Sequence, residues 1–275
     1  MTPQELVAAA LREDVGTGDV TSEIFIPSQN QACAAIVSRE PCVVAGTSLA
    51  ADVFSQVDPA VDVNILQPDG STIETGAIIM DLHGPARSIL TGERVALNFL
   101  QRLSGVASVT RRFVDAIAGT SAKILDTRKT TPGWRTLEKA AVVAGGGTNH
   151  RMGLHDMVMV KDNHLAAGGG PSALQPGIDA AKARGLRVEI EVDNLEQYRT
   201  VIQLHGVDVI LLDNMSLDEL RMAVSLKPPG IQLEASGGIT LANARAVALT
   251  GVDFLSIGAL THSAPSIDLG MDFSA

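Results

Sequence analysis

One stretch of the chain, residues 126–164, concentrates side chains that can bind an anion. Five of its cationic or protonatable residues fall at the edges of apolar runs or beside glycine-rich turns: Arg128, Lys129, His150, Arg151 and Lys161. The whole chain carries a formal net charge of −10 at pH 7. A protein that binds an extended polyanion is usually basic throughout, so a cationic cluster in an acidic chain predicts a small anionic ligand.

The types of cation in this stretch favour two kinds of anionic group. Arg128 and Arg151 can each grip a carboxylate through two parallel N–H donors, whereas Lys129 and Lys161 are point charges that suit phosphate. A plainer interpretation stays open, in which these cations form structural salt bridges with nearby acids. The candidate acids are Asp126, Asp162 and Asp213.

The chain offers no clear nucleophile for covalent catalysis. It has no Ser–His–acid spacing, and its two cysteines, Cys33 and Cys42, lie nine residues apart without a CxxC pattern. We therefore expect chemistry by positioning and electrostatic stabilisation. The same cysteine usage argues against a disulfide or a zinc site and predicts a cytoplasmic, reducing location.

Length and composition narrow the classes of protein to consider. The 275 residues are 45% hydrophobic and 19% charged, which is typical of a globular protein with one large α/β barrel or two domains. The negative charge argues against nucleic acid and anionic membranes as partners. No apolar run reaches the roughly 18 residues of a membrane span, and the amphipathic residues 1–16 lack the pattern of a signal peptide.

The first third of the chain predicts a mixed α/β domain. Residues 3–13 have the apolar spacing of a helix, and short strand-like runs follow between residues 32 and 82, with a helix at 48–56. A long helical stretch then covers residues 88–118, with a break expected at Ser104 and Gly105. Arg94 stands in this stretch, where spacing alone favours an ordinary solvated charge.

After residue 119, apolar runs alternate with helical patterns. Six such runs are recognisable, and the last four begin at residues 186, 207, 231 and 252. This regular spacing fits repeated βα units whose strands are buried on both faces. Six strands, with a seventh weakly marked, predict an open or incomplete TIM-like α/β barrel.

Polar residues stand at the end of each run, where barrels of this kind build their sites. One such residue can be a helix cap, but polar residues at all six ends predict a functional rim. The rim residues are Asp126 to Lys129, Lys161 to Asn163, Glu191, Asp193, Asp213, Asn214, Glu234, Ser236 and Ser256. In the last two loops, glycine just before a helix start favours phosphate binding.

Several long motifs identify a family. TRKTTPGWR at 127–135, GGGTNHRMGL at 145–154 and VKDNH at 160–164, with EIEVDN and LEASGGI downstream, make the chain resemble the quinolinate phosphoribosyltransferase family over nearly its whole length. The resemblance implies transfer of phosphoribosyl from phosphoribosyl pyrophosphate to quinolinate with decarboxylation, which gives nicotinate mononucleotide, pyrophosphate and CO2 in de novo NAD biosynthesis. It also implies Mg2+ bound mainly through the pyrophosphate, with no side chain assigned as a metal ligand.

The resemblance carries roles onto individual residues. The implied quinolinate-binding residues are Arg94, Thr127, Arg128, His150, Arg151 and Lys161. The implied phosphoribosyl pyrophosphate-binding residues are Lys129, Glu191, Asp213, Ser236, Gly237, Gly238, Ile257, Gly258, Ala259 and His262. The implied catalytic residues are Lys129, Lys161, Glu191 and Asp213. Arg94 matches an arginine that reaches the neighbouring subunit's site, which implies a homodimer with a shared active site and replaces the plain interpretation of that residue.

The family's fold is an N-terminal α/β sandwich domain followed by an open α/β barrel. This implies a first domain at residues 1–105, joined by the C-terminal tail 264–275, and a barrel at residues 106–263. Trp134 departs from the family pattern, which more often has leucine after PG. Packing against the loop and contact with the pyridine ring both stay open for this side chain.

Two other functions stay open as alternatives. Phosphoribosyltransferases linked to molybdenum transport share the TRKT and GGG elements but differ around NHR and KDNH, and both of these are intact here. The second alternative is a non-catalytic barrel that binds an anion. The acids Glu191 and Asp213 disfavour it, because a pure anion binder gains nothing from carboxylates beside its ligand.

Overall fold

The computed structural model describes residues 2–161, 164 and 173–274. The chain divides into two compact units. The first comprises Met1–Arg111, Thr130–Gly146 and Leu260–Ala275, and the second comprises Arg112–Lys129 and Gly147–Ala259. Residues 130–146 thus group with the first unit, although they follow residue 105, the predicted boundary, in sequence.

The first unit contains a four-stranded antiparallel sheet. Its strands are β1 (Gln31–Ser38), β3 (Asp62–Ile65), β5 (Ile78–Pro85) and β12 (Leu269–Ser274), in the order β12-β1-β5-β3. A two-stranded sheet joins β2 (Cys42–Val43) to β4 (Thr72–Ile73). Because β12 pairs with β1, the C-terminal tail completes the sheet of this unit.

Helices surround these strands. In the first unit they are α1 (Pro3–Val15), α2 (Val20–Phe25), α3 (Thr47–Val57) and α5 (Arg135–Ala144). Helix α1 begins with a capping box, in which the side chains of Thr2 and Glu5 each accept the other's backbone N–H. Helix α3 buries Leu49, Val53 and Phe54, so its apolar face forms core.

Helix α4 (Ala86–Ala116) runs unbroken for 31 residues. The predicted break at Ser104 and Gly105 is therefore wrong. Ser104 is fully buried and donates its hydroxyl to the Ala45 carbonyl. A Cβ at Gly105 would overlap the Pro265 carbonyl oxygen, so this glycine allows two segments to approach closely rather than ending the helix.

The second unit contains a parallel sheet, which confirms the predicted α/β architecture. All six predicted runs form strands: β6 (Lys123–Leu125), β7 (Val158–Val160), β8 (Val188–Val192), β9 (Val209–Asp213), β10 (Gln232–Ser236) and β11 (Phe254–Ser256). Their order is β6-β11-β10-β9-β8-β7, so β6 and β7 are the two edges of an open sheet. Among the described residues this sheet has no seventh strand, and Thr148 makes an isolated bridge with Leu125.

Helices connect these strands. They are α6 (Gln175–Ala183), α7 (Leu195–Val201), α8 (Leu217–Ser225) and α9 (Ala244–Ala248), and α10 (Ala259–His262) stands at the sequence junction between the units. At the start of two strands, an aspartate accepts a backbone N–H and also pairs with a lysine. Asp208 accepts the Val188 N–H and pairs with Lys182, and Asp253 accepts the Leu233 N–H and pairs with Lys227. No helix in the described residues has the length and apolarity needed to span a membrane.

Candidate active site

A cavity of about 300 Å³ lies in the second unit and collects most of the predicted site residues. Nine of them line it: Thr127, Arg128, Lys129, His150, Arg151, Lys161, Glu191, Asp213 and Ser236. Glu234 and Ser256 of the predicted rim also line it, and the other lining residues are Met159 and Leu211. The strand ends thus bring four Lys or Arg side chains and three carboxyl groups around one space.

The two motifs that carry the arginines are joined by a buried acid. Asp126, at the end of β6, is fully buried, and its Oδ1 accepts the backbone N–H of His150 at 2.8 Å. The next turn is held by Thr127, whose hydroxyl accepts the Lys129 N–H at 3.0 Å. These contacts fix the TRK segment relative to the NHR segment, although 24 residues separate Asp126 from His150 in sequence.

Arg128 lies close enough to Arg151 for its charge to act on the Arg151 guanidinium. Burial and the neighbouring Arg128 charge lower the pKa of Arg151. Arg151 also donates from Nη1 to the Met157 carbonyl at 3.2 Å, which directs the guanidinium. An anion placed between two like charges relieves their repulsion, so this pair suits a ligand with carboxylate groups.

Lys161 and Glu191 form an ion pair at the ends of neighbouring strands. Lys161 Nζ lies 2.5 Å from Glu191 Oε2, and the two side chains are 40% and 12% exposed. The pair joins a residue predicted to bind quinolinate to one predicted to bind phosphoribosyl pyrophosphate. Lys161 is therefore the ion-pair partner of a rim acid, as the plainer interpretation of these cations allowed.

Asp213 is oriented by a residue whose role the sequence did not predict. Asn214 has φ 54° and is the only non-glycine residue with positive φ in the described part of the chain. Its Nδ2 donates to Asp213 Oδ2 at 2.7 Å, and its backbone N–H donates to the Ser236 carbonyl at 2.9 Å. A Cβ at Gly237 would overlap Asn214 Oδ1, so this turn requires glycine.

The two glycine-containing loops flank the cavity. Ser236 and Ser256 line it, and each begins a loop of predicted phosphate-binding residues. Gly237 and Gly238 are exposed, whereas Ile257 is buried and donates its N–H to the Leu125 carbonyl. The Ile257 N–H is thus engaged by the sheet. The remaining predicted residues, Gly258 and Ala259, lie at the start of α10.

Several predicted residues are not brought to the cavity lining. Arg94 and His262 belong to the first unit and are exposed, and His262 Nδ1 lies 2.6 Å from Ser263 Oγ. Asp193 of the predicted rim is exposed and accepts a hydrogen bond from Gln197. Asp162 and Asn163 lie outside the described residues.

Trp134 packs within the first unit. Its ring stacks on Phe99, with ring centroids 4.9 Å apart and an interplanar angle of 28°. This favours the packing interpretation of Trp134 over contact with the pyridine ring. The lost leucine is replaced by a larger apolar contact on helix α4.

Sequence reasoning missed Glu189, which lies in the middle of β8. It is fully buried and 3.0 Å from the His150 ring. Its position held a usable signal, because Glu189 and Glu191 are two residues apart in a strand and so share one face. The apolar residues Met159 and Leu211 were also missed, since nothing in their surroundings marks them as different from core.

Comparisons with known proteins agree with the motifs. The models for the N-terminal and C-terminal domains of quinolinate phosphoribosyl transferase match residues 19–104 and 106–272. The chain is 46% identical over 263 residues to a probable nicotinate-nucleotide pyrophosphorylase (carboxylating) of Bacillus subtilis, covering 94% of this chain and 89% of the relative. It is 41% identical over 275 residues to the nicotinate-nucleotide pyrophosphorylase (carboxylating) of Mycobacterium leprae, covering 98% and 96%. The structure of the nicotinate-nucleotide pyrophosphorylase from Francisella tularensis superposes with a TM-score of 0.94 at 38% identity, covering 99% and 96%.

Proposed function

This chain belongs to the quinolinate phosphoribosyl transferase family, and we propose that it transfers phosphoribosyl from phosphoribosyl pyrophosphate to quinolinate with loss of CO2. The products are nicotinate mononucleotide, pyrophosphate and CO2, so the reaction serves NAD biosynthesis. The observation that carries this proposal is the composition of the cavity. Arg128, Arg151, Lys129 and Lys161 meet the carboxyl groups of Glu191 and Asp213 there, in a chain that is strongly acidic overall.

We assign the arginine side of the cavity to quinolinate. Its two carboxylates match the guanidinium groups of Arg128 and Arg151, each of which can bind a carboxylate through two donors. Met159 and Leu211 line the same cavity and offer apolar surface to the pyridine ring. The cavity volume of about 300 Å³ is of the size that small-molecule sites have.

The other side of the cavity is assigned to the phosphoribosyl group. Glu191 and Asp213 face the ribose hydroxyls, and Lys129 faces the pyrophosphate. The bond from C1 of the ribose to the pyrophosphate oxygen breaks, and its electron pair leaves with pyrophosphate. The pyridine nitrogen is a poor nucleophile, so we propose that this bond breaks ahead of attack, with an oxocarbenium-like sugar that the two carboxylates stabilise.

Mg2+ fits this site because the pyrophosphate substrate is rich in oxygen atoms and because the Asp213 carboxylate has no cationic partner among the described residues. Mg2+ prefers oxygen ligands and keeps several waters, and pyrophosphate supplies such oxygens. Asp213 contacts no cationic side chain of the described residues and accepts a hydrogen bond from the neutral amide of Asn214. We place the water shell of the ion beside Asp213 and assign no side chain as a direct ligand. The bound ion would neutralise charge on the leaving pyrophosphate.

Decarboxylation follows from the charge of the glycosylated ring. Once the pyridine nitrogen bears the sugar it is cationic, so it accepts the electron pair when the bond from C2 to its carboxylate breaks. The carbon that loses CO2 then takes a proton from water. We assign Lys161 to stabilise the charge that develops during this step.

We also propose a homodimer in which Arg94 completes the neighbouring subunit's site. The Arg94 side chain is exposed on α4 and makes no hydrogen bond or ion pair with the described residues of its own chain. Helix α2 lies beside the start of α4, because Arg87 donates to the carbonyls of Glu23 and Ile26. This short helix exposes Ile24 and Phe25 by 74% and 75%, and such an apolar patch is typical of an interface.

A cytoplasmic location is part of the same proposal. Both cysteines are free thiols, as expected for a protein kept in a reducing compartment. The substrates, a dicarboxylate and a phosphorylated sugar, are small metabolites that such a compartment supplies.

The function is tested by following the carboxylate of quinolinate. The purified chain is incubated with quinolinate labelled in its C2 carboxylate, phosphoribosyl pyrophosphate and Mg2+, and CO2, pyrophosphate and the nucleotide are measured. We expect equal amounts of the three products, and none when phosphoribosyl pyrophosphate is omitted. Binding of quinolinate without CO2 release would instead establish the non-catalytic alternative and overturn the proposal.

A further inference from the structure

Two buried carboxyl groups lie beside the cavity, and the proposed reaction gives neither of them a role. Glu189 in β8 is fully buried, and Glu234 in β10 is 2% exposed. Strand β9 stands between their strands in the sheet. An unpaired buried carboxylate is costly, so the presence of two such groups near each other requires an explanation.

Both carboxyl groups meet the imidazole of His150. Its Nε2 lies 3.0 Å from Glu189 Oε2 and 3.5 Å from Glu234 Oε2, and the ring is 7% exposed. The Oε1 atoms of both residues, and also Glu189 Oε2, have no aligned hydrogen-bond donor among the described residues. The 3.0 Å distance still places the Glu189 carboxyl group in direct polar contact with the ring nitrogen.

The other ring nitrogen is committed to the backbone. Arg151 donates its N–H to His150 Nδ1 at 2.7 Å. A nitrogen that accepts a hydrogen bond carries no proton, so the ring proton of His150 stands on Nε2 and points at the carboxyl groups. Asp126 accepts the backbone N–H of His150, so the backbone nitrogens of residues 150 and 151 are both held by hydrogen bonds.

The cluster retains one more proton than two carboxylates and a neutral ring would hold. Burial lowers the pKa of His150, but Glu189 and Glu234 outweigh it and raise that pKa to about 10. Burial, and then the charge of Glu234, raises the pKa of Glu189. The raised pKa values of His150 and Glu189 describe the same extra proton, which the cluster keeps at neutral pH. This proton can stand on His150 Nδ1 or on a carboxyl group. The Arg151 N–H occupies Nδ1, so the geometry keeps this proton off the ring, and the raised pKa of Glu189 assigns it to that carboxyl group.

We propose that Glu189 and Glu234 are positioning residues for the phosphoribosyl transfer, in which Glu189 is a carboxylic acid, Glu234 is a carboxylate, and together they hold His150 as the neutral tautomer protonated on Nε2. The role in transfer rests on the proposed function, whereas the protonation pattern does not. The ring in turn holds the Arg151 N–H through Nδ1. The cluster therefore sets the backbone from which the Arg151 guanidinium reaches quinolinate.

The charge of the cluster fits its position. Arg128 and Arg151 are the neighbouring cations, and Arg151 also interacts with the Glu189 carboxyl group. Two carboxylates at this depth would compete with quinolinate for these guanidinium groups, whereas one negative charge lessens their repulsion and leaves them available. We infer that the retained proton limits the cluster to a single negative charge.

The same three groups lie close enough to hold a metal ion, with donor atoms within 4.8 Å of one another. The hydrogen bond to His150 disfavours this. A metal bound to Nε2 requires the ring proton on Nδ1, and the Arg151 N–H points at that atom. A proton is therefore the better occupant of the cluster than a divalent cation.

The tautomer is tested by nitrogen-15 NMR of the whole chain labelled in its six histidines, with His150 assigned through its loss in His150→Gln. We expect, at pH 7, a protonated Nε2 and an unprotonated Nδ1. Infrared difference spectra should show a protonated carboxyl band that disappears in Glu189→Gln and persists in Glu234→Gln. Two protonated ring nitrogens, or the absence of that band, would overturn the proposal even if the chain proved inactive. Stoichiometric binding of zinc alone, lost in Glu189→Gln, would also overturn it.

Kinetics then test the positioning role. Glutamine resembles a protonated glutamate, so Glu189→Gln keeps the charge of the cluster and Glu234→Gln removes it. We expect the KM for quinolinate to rise on the order of tenfold more in Glu234→Gln than in Glu189→Gln, with a smaller difference in kcat. Equal rises in both variants indicate a merely structural role and reject the assignment. A failure of all variants and of the wild type to release CO2 would instead count against the proposed function.

Discussion

Lys161 Nζ lies 2.5 Å from Glu191 Oε2, so the cation assigned to decarboxylation forms an ion pair with an acid assigned to the ribose. Lys161 directly follows β7, Glu191 lies near the end of β8, and these two strands pair in parallel. Because the proposed reaction assigns the two residues to different substrates, the ion pair couples the geometry of one half of the cavity to the other half.

This pair leads to a prediction for Lys161→Met. We expect kcat/KM to fall roughly 30-fold, which corresponds to about 2 kcal/mol of activation free energy, because Glu191 loses its partner and the decarboxylation step loses a cation. The partial exposure of Lys161 keeps this loss at the low end for a charge pair. Lys182→Met is a matched control, since Lys182 is 38% exposed and pairs with Asp208 in the same unit. Steady-state kinetics of both variants measure the difference. Equal rates in Lys161→Met and the wild type would remove Lys161 from the reaction.

Arg128 should act mainly on quinolinate. Arg128→Ala removes one carboxylate clamp and leaves the substrate charge without a partner, so we expect a higher KM for quinolinate and a loss of about 2–4 kcal/mol in kcat/KM. The KM for phosphoribosyl pyrophosphate should change much less. Arg221→Ala serves as control, because Arg221 is exposed and pairs with Asp218 on helix α8. Kinetics like those of the wild type in Arg128→Ala would refute the clamp.

A shared active site can be detected by mixing two inactive proteins. Arg94→Ala and Arg151→Ala each damage a different contribution to the site, so a mixed dimer contains one site in which both arginines are intact. With exchange at random, half of the dimers are mixed, and we expect about a quarter of the wild-type activity per site. The activity is measured after verified subunit exchange. Mixed dimers that stay inactive would show that Arg94 does not act across the interface.

Much of the fold could be predicted because parallel strands leave a strong signal. Each strand of the second unit is a continuous apolar run, since both faces are buried, and all six runs were found. Continuity of helix α4 could not be predicted in the same way. Glycine is a weak helix former, and the chain gives no sign that Gly105 packs against Pro265, which lies 160 residues later.

In the site too, some residues could be predicted from the sequence and others could not. Residues at strand ends, such as Lys161 and Asp213, were predicted from position, because strand ends of a barrel converge. Residues that act from inside a strand or through the backbone were not assigned. Glu189 is hidden in an apolar run, and the left-handed backbone of Asn214 depends on the contacts of its side chain and on Gly237.

Glu138 and Arg102 should contribute strongly to the stability of the first unit. Glu138 is fully buried and accepts hydrogen bonds from the Thr131 N–H, the Thr131 hydroxyl and Arg102. Arg102 also donates to the carbonyls of Thr261 and Ala264. Glu138→Ala removes the buried acceptor that all three donors share and should cost about 3 kcal/mol. In a double-mutant cycle with Arg102→Met, measured by urea unfolding, we expect the double variant to lose less than the sum of the two, and strict additivity would contradict the coupling.

Gly105→Ala should reverse the usual effect of replacing a helical glycine. Alanine favours a helix interior by about 1 kcal/mol over glycine, but the new Cβ would overlap the Pro265 carbonyl oxygen, and backbone cannot rotate away as a side chain can. We expect a net loss of about 1–3 kcal/mol and a melting temperature lower by several degrees. Gly177→Ala is the matched control, because Gly177 lies in helix α6 with nothing within 4 Å of a Cβ and should gain up to about 1 kcal/mol. Thermal unfolding measures the melting temperatures of both variants. If both substitutions stabilised the protein, the close approach of Gly105 to Pro265 would not be part of the fold.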